Sequence, residues 1–196
     1  EIMKQLSQAY LKIRNTARYM LGNLAGFDPD ADRVPLDQME DLDRYALSAF
    51  NDLVKAVREA YDRYEFHGVY RAVYNFCVVD LSNFYLDVIK DRLYCEGARS
   101  HLRRSAQTAL YVILDGMTRL IAPILAFTSD EIWAAMAHDA SANGESVLLN
   151  DMPAWDPALA LSEEAAARWA RLLSLRDAVN KALENARSAG VFKKAQ

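Results

Sequence analysis

The spacing of apolar residues is the feature that most restricts how this chain of 196 residues can fold. Near the start of the chain, apolar side chains recur every three or four positions, as they do along one side of an α-helix. These residues are Ile2, Leu6, Ala9, Ile13, Ala17, Met20 and Leu24. Only seven glycines and five prolines interrupt the chain, and the later apolar runs keep the same helical period. The sequence therefore predicts an all-α fold.

Breaks in this pattern divide the chain into predicted helices. They cover about residues 2–24, 37–64, 68–94, 98–122, 128–136 and 162–189. Capping-box patterns at 37–40 and 128–131 are expected to begin the second and fifth helices, and Ser162 is the predicted N-cap of the last. Four long helices and a short one predict an antiparallel helical bundle, with the last helix as a C-terminal arm.

The chain is expected to consist of three regions. Residues 1–137 are predicted to form the bundle, residues 138–161 a linker with at most one short strand, and residues 162–196 the C-terminal helix. The linker prediction rests on serine, asparagine, glycine and proline around a brief β-like run at 146–149. Because the chain opens on Glu1 and enters a helical pattern almost at once, we expect it to be a piece of a larger protein.

The charge of the chain is distributed unevenly. Its net charge of −4 argues against a protein that coats nucleic acid through bulk electrostatics. Residues 28–43 contain seven acidic side chains and one arginine, whereas residues 1–18 contain four basic side chains and one glutamate. Such asymmetry permits a local basic surface on an acidic protein, although charged runs are more often simply solvated.

Two arginines accompany the apolar side of the first predicted helix. Arg14 and Arg18 are one turn apart and flank that side, where a guanidinium can keep its head in water and still fork onto a phosphate or a base edge. Asn15 points nearly opposite the apolar side and carries an amide that both donates and accepts hydrogen bonds. The competing interpretation is that both arginines pair with carboxylates of a neighbouring helix.

Aromatic side chains near predicted helix ends are candidates for stacking on unpaired bases. They are Tyr10, Phe66, His67 and Tyr70. A further basic cluster follows in the third and fourth predicted helices. It includes Lys90, Arg92, Arg103 and Arg104.

Patterns typical of active sites and metal sites are absent from the sequence. There is no glycine-rich phosphate loop, the three histidines are too far apart for metal ligation, and Cys77 and Cys95 are too few for a zinc site. We therefore predict no catalytic residue and no metal ligand, with Cys77 buried on an apolar face. Without a visible signal peptide or an apolar run of about 18 residues, a cytoplasmic protein that does not cross a membrane is expected.

Ordered stretches along residues 3–187 resemble the anticodon-binding domain of the isoleucyl-tRNA synthetase family, a class Ia aminoacyl-tRNA synthetase. The matching stretches are RNTARYMLGNL at 14–24, GFDP at 26–29, LDRYAL at 42–47, YEFHGVY at 64–70, FC at 76–77, DLSNFYLD at 80–87, KDRLY at 90–94, RRSAQT at 103–108 and APILAFTSDEIW at 122–133. Their number and order make the resemblance specific. The chain departs from the family pattern at residues 190–194.

This resemblance implies a parent enzyme that uses ATP to attach isoleucine to its tRNA. The present chain would hold the tRNA for isoleucine near the anticodon and would be inactive alone, with no cofactor of its own. The catalytic domain, the editing domain and a zinc-containing C-terminal module would belong to the rest of the parent. Arg14, Asn15 and Arg18 are expected to contact the anticodon loop.

The second basic cluster has two possible roles under this resemblance, which are contact with the RNA backbone and organisation of the junction with the catalytic domain. Two alternatives remain for the whole chain. One is the same domain of a valyl-tRNA synthetase, and the other is a non-catalytic helical scaffold that docks proteins.

Overall fold

A computed structural model describes residues 2–190, and within that range it contains helices and no strand. The α-helices are α1 (Ile2–Asn23), α2 (Asp41–Asp62), α3 (Phe66–Asn75), α4 (Leu86–Val88), α5 (Lys90–Tyr94), α6 (His101–Ile121), α7 (Ala126–Ala134) and α8 (Glu163–Ser188). A π-helix (Phe76–Tyr85) joins α3 to α4, and 3-10 turns cover Leu36–Gln38, Val147–Leu149 and Pro157–Leu159. The predicted all-α class is confirmed.

The chain divides into two compact units, the first ending at Ala160 and the second beginning at Leu161. In the first unit, α6 is the central helix, because it packs against α1, α2, α3, α5 and α7. Gly116 of α6 faces the buried Phe50 ring of α2, and a Cβ added to this glycine would lie 2.8 Å from Cε1 of that ring. Because residue 116 is a glycine, the Phe50 ring of α2 can pack directly against the backbone of α6.

The predicted apolar side of α1 lies only partly in the core of the described bundle. Ile13, Ala17 and Met20 are buried, whereas the Leu6 side chain is 48% exposed. The helical period was therefore predicted correctly, but the burial of Leu6 was not. The N-terminal half of α1 instead borders an open recess, which is described with the candidate site.

A buried carboxylate ties four elements of the bundle together. Asp43 of α2 accepts hydrogen bonds from the Tyr85 hydroxyl at 2.7 Å, the Ser105 hydroxyl at 2.6 Å and the Arg92 guanidinium at 3.3 Å. Burial raises the pKa of the Asp43 carboxyl above its usual range, although the hydrogen bonds from Ser105 and Tyr85 and the charge of Arg92 oppose that rise. Because each donor comes from a different element, this contact fixes their relative positions.

The two predicted capping boxes do not begin helices. Residues 36–38 form a 3-10 turn, and α2 starts only after Glu40, whose side chain forms no capping hydrogen bond. The second box lies inside α7, because the chain turns at 122–125 after α6 and the helix already begins at Ala126. Instead of capping α7, Thr128 makes a tertiary contact, because its hydroxyl lies 3.0 Å from the Tyr10 hydroxyl of α1.

The third predicted helix is not one continuous α-helix. It begins at Phe66 rather than after Gly68, changes to a π-helix at Phe76, and is interrupted again at Ile89. The wider π-helical turns bury Cys77, Leu81 and Tyr85, and the last of these reaches Asp43. An i to i+4 apolar spacing does not distinguish the two helix types, so the change could not be read from the pattern.

Residues 138–160 pack on the bundle. The run predicted as β-like forms a 3-10 turn, in which Val147 is buried against Trp133 of α7. Further along, the Asn51 amide both donates to the carbonyl oxygen of Asp156 and accepts from its N–H group, each at 2.8 Å. Contacts with α2 and α7 therefore take the place of a strand.

The second unit contains α8. The Ser162 hydroxyl accepts a hydrogen bond from the Ala165 N–H at 3.2 Å, which confirms the predicted N-cap. No residue of Glu163–Ser188 is buried. The apolar side chains of Leu172, Leu175, Val179 and Leu183 are exposed.

We predict that Asp43→Ala lowers the free energy of unfolding by about 3–5 kcal/mol, because it leaves the buried Tyr85 and Ser105 hydroxyls and the Arg92 charge without their acceptor. Urea denaturation followed by circular dichroism measures this. Asp87→Ala, which removes an exposed ion pair with Lys90, serves as the control and should leave the free energy of unfolding almost unchanged. Equal effects of the two substitutions would contradict the assigned role.

The two cysteines should differ sharply in reactivity at pH 8. Burial raises the pKa of the Cys77 thiol to about 12, so its reactive thiolate is scarce, whereas Cys95 is exposed. A disulfide reagent should titrate one thiol quickly in the folded chain and the second only in denaturant. Cys95→Ser should abolish the fast phase, and its persistence would show that Cys77 is accessible.

Candidate nucleic-acid interface

Helices α1 and α7 pack side by side and leave a groove between them. The Tyr10 and Thr128 hydroxyls, 3.0 Å apart, join the two helices at one end of it. Beyond this contact the groove has a volume of about 150 Å³. It is lined by Arg14, Arg18, Leu21, Thr128, Glu131 and Ile132, and is called the arginine groove below. The helical spacing of four residues places both guanidiniums along it.

Both arginines of this groove are available to a ligand. Arg14 and Arg18 are exposed, and within residues 2–190 neither side chain forms a hydrogen bond or an ion pair. The described part of the chain therefore does not show the competing arrangement, in which neighbouring carboxylates hold these arginines. Asn15 is exposed as well. Two unpaired guanidiniums one turn apart can form forked hydrogen bonds with phosphates or base edges.

The four predicted stacking residues line one recess. Tyr10, Phe66, His67 and Tyr70 surround a volume of about 620 Å³ together with Met3, Leu6, Ser7, Ile124 and Leu125. These side chains are called the aromatic recess below. The Tyr70 hydroxyl donates to the carbonyl oxygen of Leu6 at 3.1 Å, and burial raises the pKa of Tyr70. Tyr10 lines the recess and also contacts Thr128, so the recess and the arginine groove are adjacent.

The other predicted cations are engaged inside the protein. The Arg92 guanidinium donates to Asp43, and Arg103 donates to the carbonyl oxygen of Glu96 at 3.3 Å. Arg104 pairs with Asp32 at 3.1 Å and donates to Gln107 at 2.9 Å. These contacts stabilise the bundle.

Lys90 differs from these three arginines. It forms an exposed ion pair with Asp87 at 2.7 Å, one helical turn away. The structure therefore does not bring the second basic cluster together with Arg14 and Arg18 in one lined groove.

Two exposed residues of α7 were not among the predicted site residues. Glu131 lines the arginine groove, and the Phe127 side chain is 90% exposed one turn before it. The signal for Phe127 was present in the sequence, since the inner face of α7 is defined by Ile132 and Trp133 and a ring at 127 falls outside that face. The incorrect start assigned to α7 at 128 concealed it.

The described residues contain no group of three or more histidine, cysteine, aspartate or glutamate side chains placed to hold a metal ion. In the same part of the chain, no helix combines the length and the apolar character needed to cross a bilayer. The arginine groove and the aromatic recess together present cationic donors, aromatic rings and one carboxylate.

A helical bundle whose exposed arginines adjoin an aromatic recess has the features of a helical RNA-binding domain. The chain belongs to the family described as the anticodon-binding domain of tRNA ligase, whose model matches residues 43–196. The resemblance inferred from the sequence motifs is confirmed.

Relatives with the name isoleucine–tRNA ligase match nearly the whole chain. The chain is 54% identical over 194 residues to the one from Syntrophotalea carbinolica and 51% identical over 197 residues to the one from Desulforudis audaxviator. It is 49% identical over 193 residues to the one from Caldanaerobacter subterraneus. These alignments cover 96% to 99% of this chain but only 20% to 21% of each relative, so the chain spans about a fifth of their length.

The two kinds of arginine should differ in their effect on stability. Arg104→Ala should lower the free energy of unfolding by about 1–3 kcal/mol, because it breaks a partly buried ion pair and leaves its acceptors unpaired. Arg18→Ala, an exposed substitution without a broken contact, should change it by less than about 0.5 kcal/mol. Urea denaturation compares them, and a large loss for Arg18→Ala would mean that its side chain supports the fold.

Proposed function

We propose that this chain is the anticodon-region binding domain of an isoleucine–tRNA ligase. The observation that carries the proposal is the pair of unengaged guanidiniums of Arg14 and Arg18 in a groove beside the aromatic recess. Anticodon-loop bases are splayed and unpaired, so arginines and rings on a rigid bundle can reach their edges and faces. A paired stem would offer mainly phosphates and shape.

The residues of the two lined surfaces, together with Asn15 on the other side of α1, have complementary roles in this proposal. Arg14 and Arg18 donate to phosphates or base edges of the loop, and Asn15 on the outer side of α1 donates to and accepts from a base. The aromatic recess holds an unstacked base against Tyr10, Phe66, His67 or Tyr70. Each of these roles is supported by the exposure and placement of the side chains.

For the second basic cluster we propose a mainly structural role. The internal contacts of Arg92, Arg103 and Arg104 favour positioning of the bundle, with any contact to RNA backbone secondary to it. Lys90 keeps an exposed ammonium, which a phosphate can approach when Asp87 turns away. The alternative role for this cluster is to organise the junction with a catalytic domain.

The parent enzyme is proposed from the relatives. Their name supports isoleucine over valine as the amino acid and the tRNA for isoleucine as the partner. ATP would be used, and editing and zinc binding would occur, in the parts of the parent outside this chain. The chain alone would therefore bind tRNA without charging it, and the parent would act in the cytoplasm.

Substitution of either arginine should weaken RNA binding. Arg14→Ala and Arg18→Ala are each expected to lower the affinity for tRNA by about 1–3 kcal/mol, the range for a lost charge-assisted hydrogen bond. Filter binding of the 196-residue chain to transcribed isoleucine tRNA at several salt concentrations measures this. A phosphate contact should also reduce the slope of log K against log salt by about 1 per arginine.

Arg44→Ala, an exposed arginine of α2 that lines neither surface, is the matched control and should leave the affinity unchanged. A protein-docking scaffold would show no preference for tRNA over a DNA hairpin of equal charge. Equal binding by the wild type and both groove variants at low salt would refute the role of Arg14 and Arg18.

A further inference from the structure

We propose that Phe127 and Glu131 of α7 form a base-reading face, in which the Phe127 ring stacks on one unpaired nucleotide base and the Glu131 carboxylate accepts from its amino group. The inference rests on the proposed RNA-binding function and names two residues that this function does not yet use. It assigns α7 a part in specificity, whereas α1 supplies the cationic donors.

The exposure of Phe127 is the first observation. At 90%, it is the most exposed of the large hydrophobic side chains in the described part of the chain. On the same short helix Ile132 and Trp133 are buried, so the residues that anchor α7 do not include this ring. An exposed phenylalanine adjacent in the chain to Thr128, which lines the arginine groove, is well suited to stack on a base, since every base has a π-face.

The position of Phe127 is the second observation. Residue 127 precedes Glu131 by one helical turn, so the two side chains share one side of α7. Glu131 lines the arginine groove, while Leu125, two residues before the phenylalanine, lines the aromatic recess. In the chain, Phe127 therefore lies between a residue that lines the aromatic recess and a residue that lines the arginine groove.

The sign of the charge at Glu131 is the third observation. Its carboxylate lines the same groove as Arg14 and Arg18, yet it forms no ion pair with either in the described residues. A carboxylate repels phosphate but accepts hydrogen bonds from the exocyclic amino groups of cytosine, adenine and guanine. The groove therefore combines two guanidiniums, which donate to phosphate or carbonyl oxygens, with one carboxylate, which accepts from amino groups. A base edge can satisfy both kinds of group, whereas the RNA backbone offers no amino group to the carboxylate.

This arrangement predicts a preference among bases. Adenine, cytosine or guanine can donate an amino hydrogen to Glu131, whereas uracil lacks an amino group and would place a carbonyl oxygen against the carboxylate. The base on Phe127 should therefore carry an amino group. A docked apolar protein segment would show no such requirement.

The test uses the 196-residue chain and the stem–loop of isoleucine tRNA, with 2-aminopurine placed at one loop position at a time. Stacking on a ring changes the fluorescence of this base analogue. We expect one position to respond on binding, and Phe127→Ala to abolish that response and raise Kd about fivefold or more. Phe127→Trp, which keeps a stacking ring, should retain the fluorescence response and a Kd close to that of the wild type.

The carboxylate is tested with natural bases at the position that responds. Wild type should bind the stem–loop with uracil there about fivefold or more weakly than with a base that carries an amino group. Glu131→Gln, which can donate to the uracil carbonyl, should reduce this discrimination. Unchanged discrimination in Glu131→Gln would overturn the role of the carboxylate.

Control variants separate the possible failures. Trp155→Ala removes another exposed aromatic side chain, outside both lined surfaces, and should change neither Kd nor fluorescence. If the wild type binds and Arg18→Ala weakens binding while Phe127→Ala alters nothing, this inference is wrong and the proposed function stands. If the wild-type chain does not bind the stem–loop, the proposed function fails and this inference fails with it.

Discussion

The burial of α6 on nearly every side is the constraint on which the rest of the bundle depends. Fourteen of its 21 residues are buried, including polar ones. Three of these hold neighbouring segments: Ser105 bonds Asp43, the Gln107 amide donates to the carbonyl oxygen of Asn23 at 2.8 Å, and the Thr108 hydroxyl accepts from the Val34 N–H at 3.0 Å. A central helix with satisfied polar groups fixes one arrangement of its neighbours. It thereby also fixes where α1 and α7 meet.

The arginines of this chain serve two different purposes, and the difference is one of desolvation. Arg92 and Arg104 have lost much of their water and compensate through carboxylates and carbonyl oxygens of the bundle. Arg14 and Arg18 keep their water and lie next to an apolar recess. A ligand that pairs with these two guanidiniums therefore displaces water and breaks no contact that they make within the described residues. This separation of roles lets the surface bind without weakening the core.

Much of the fold could be predicted from the sequence because apolar side chains recur every three or four positions along a long helix. The ends of α1, the N-cap Ser162 and the burial of Cys77 agree with the structure. The start of α7 could not be predicted, because a polar sequence that resembles a cap can equally lie inside a helix and contact another element. The π-helix was hidden for a related reason, since its apolar spacing also fits an α-helix.

The candidate site was only partly accessible to sequence reasoning. Local spacing placed Arg14 and Arg18 on a helix flank, which the structure shows as the wall of a groove. Whether a cation is engaged depends on long-range contacts, and Arg104 finds Asp32 more than 70 positions away. The shared recess of Tyr10 and Phe66 likewise arises from tertiary packing, which no local pattern encodes. Sequence thus identified residue types and faces, while the fold decided their partners.

The exposed state of α8 has a thermodynamic consequence. Because no residue of Glu163–Ser188 is buried, apolar burial contributes little to this helix, and its N-cap, backbone hydrogen bonds and intrinsic propensity contribute correspondingly more. A helix held in this way frays gradually on heating, whereas the packed bundle loses its structure cooperatively.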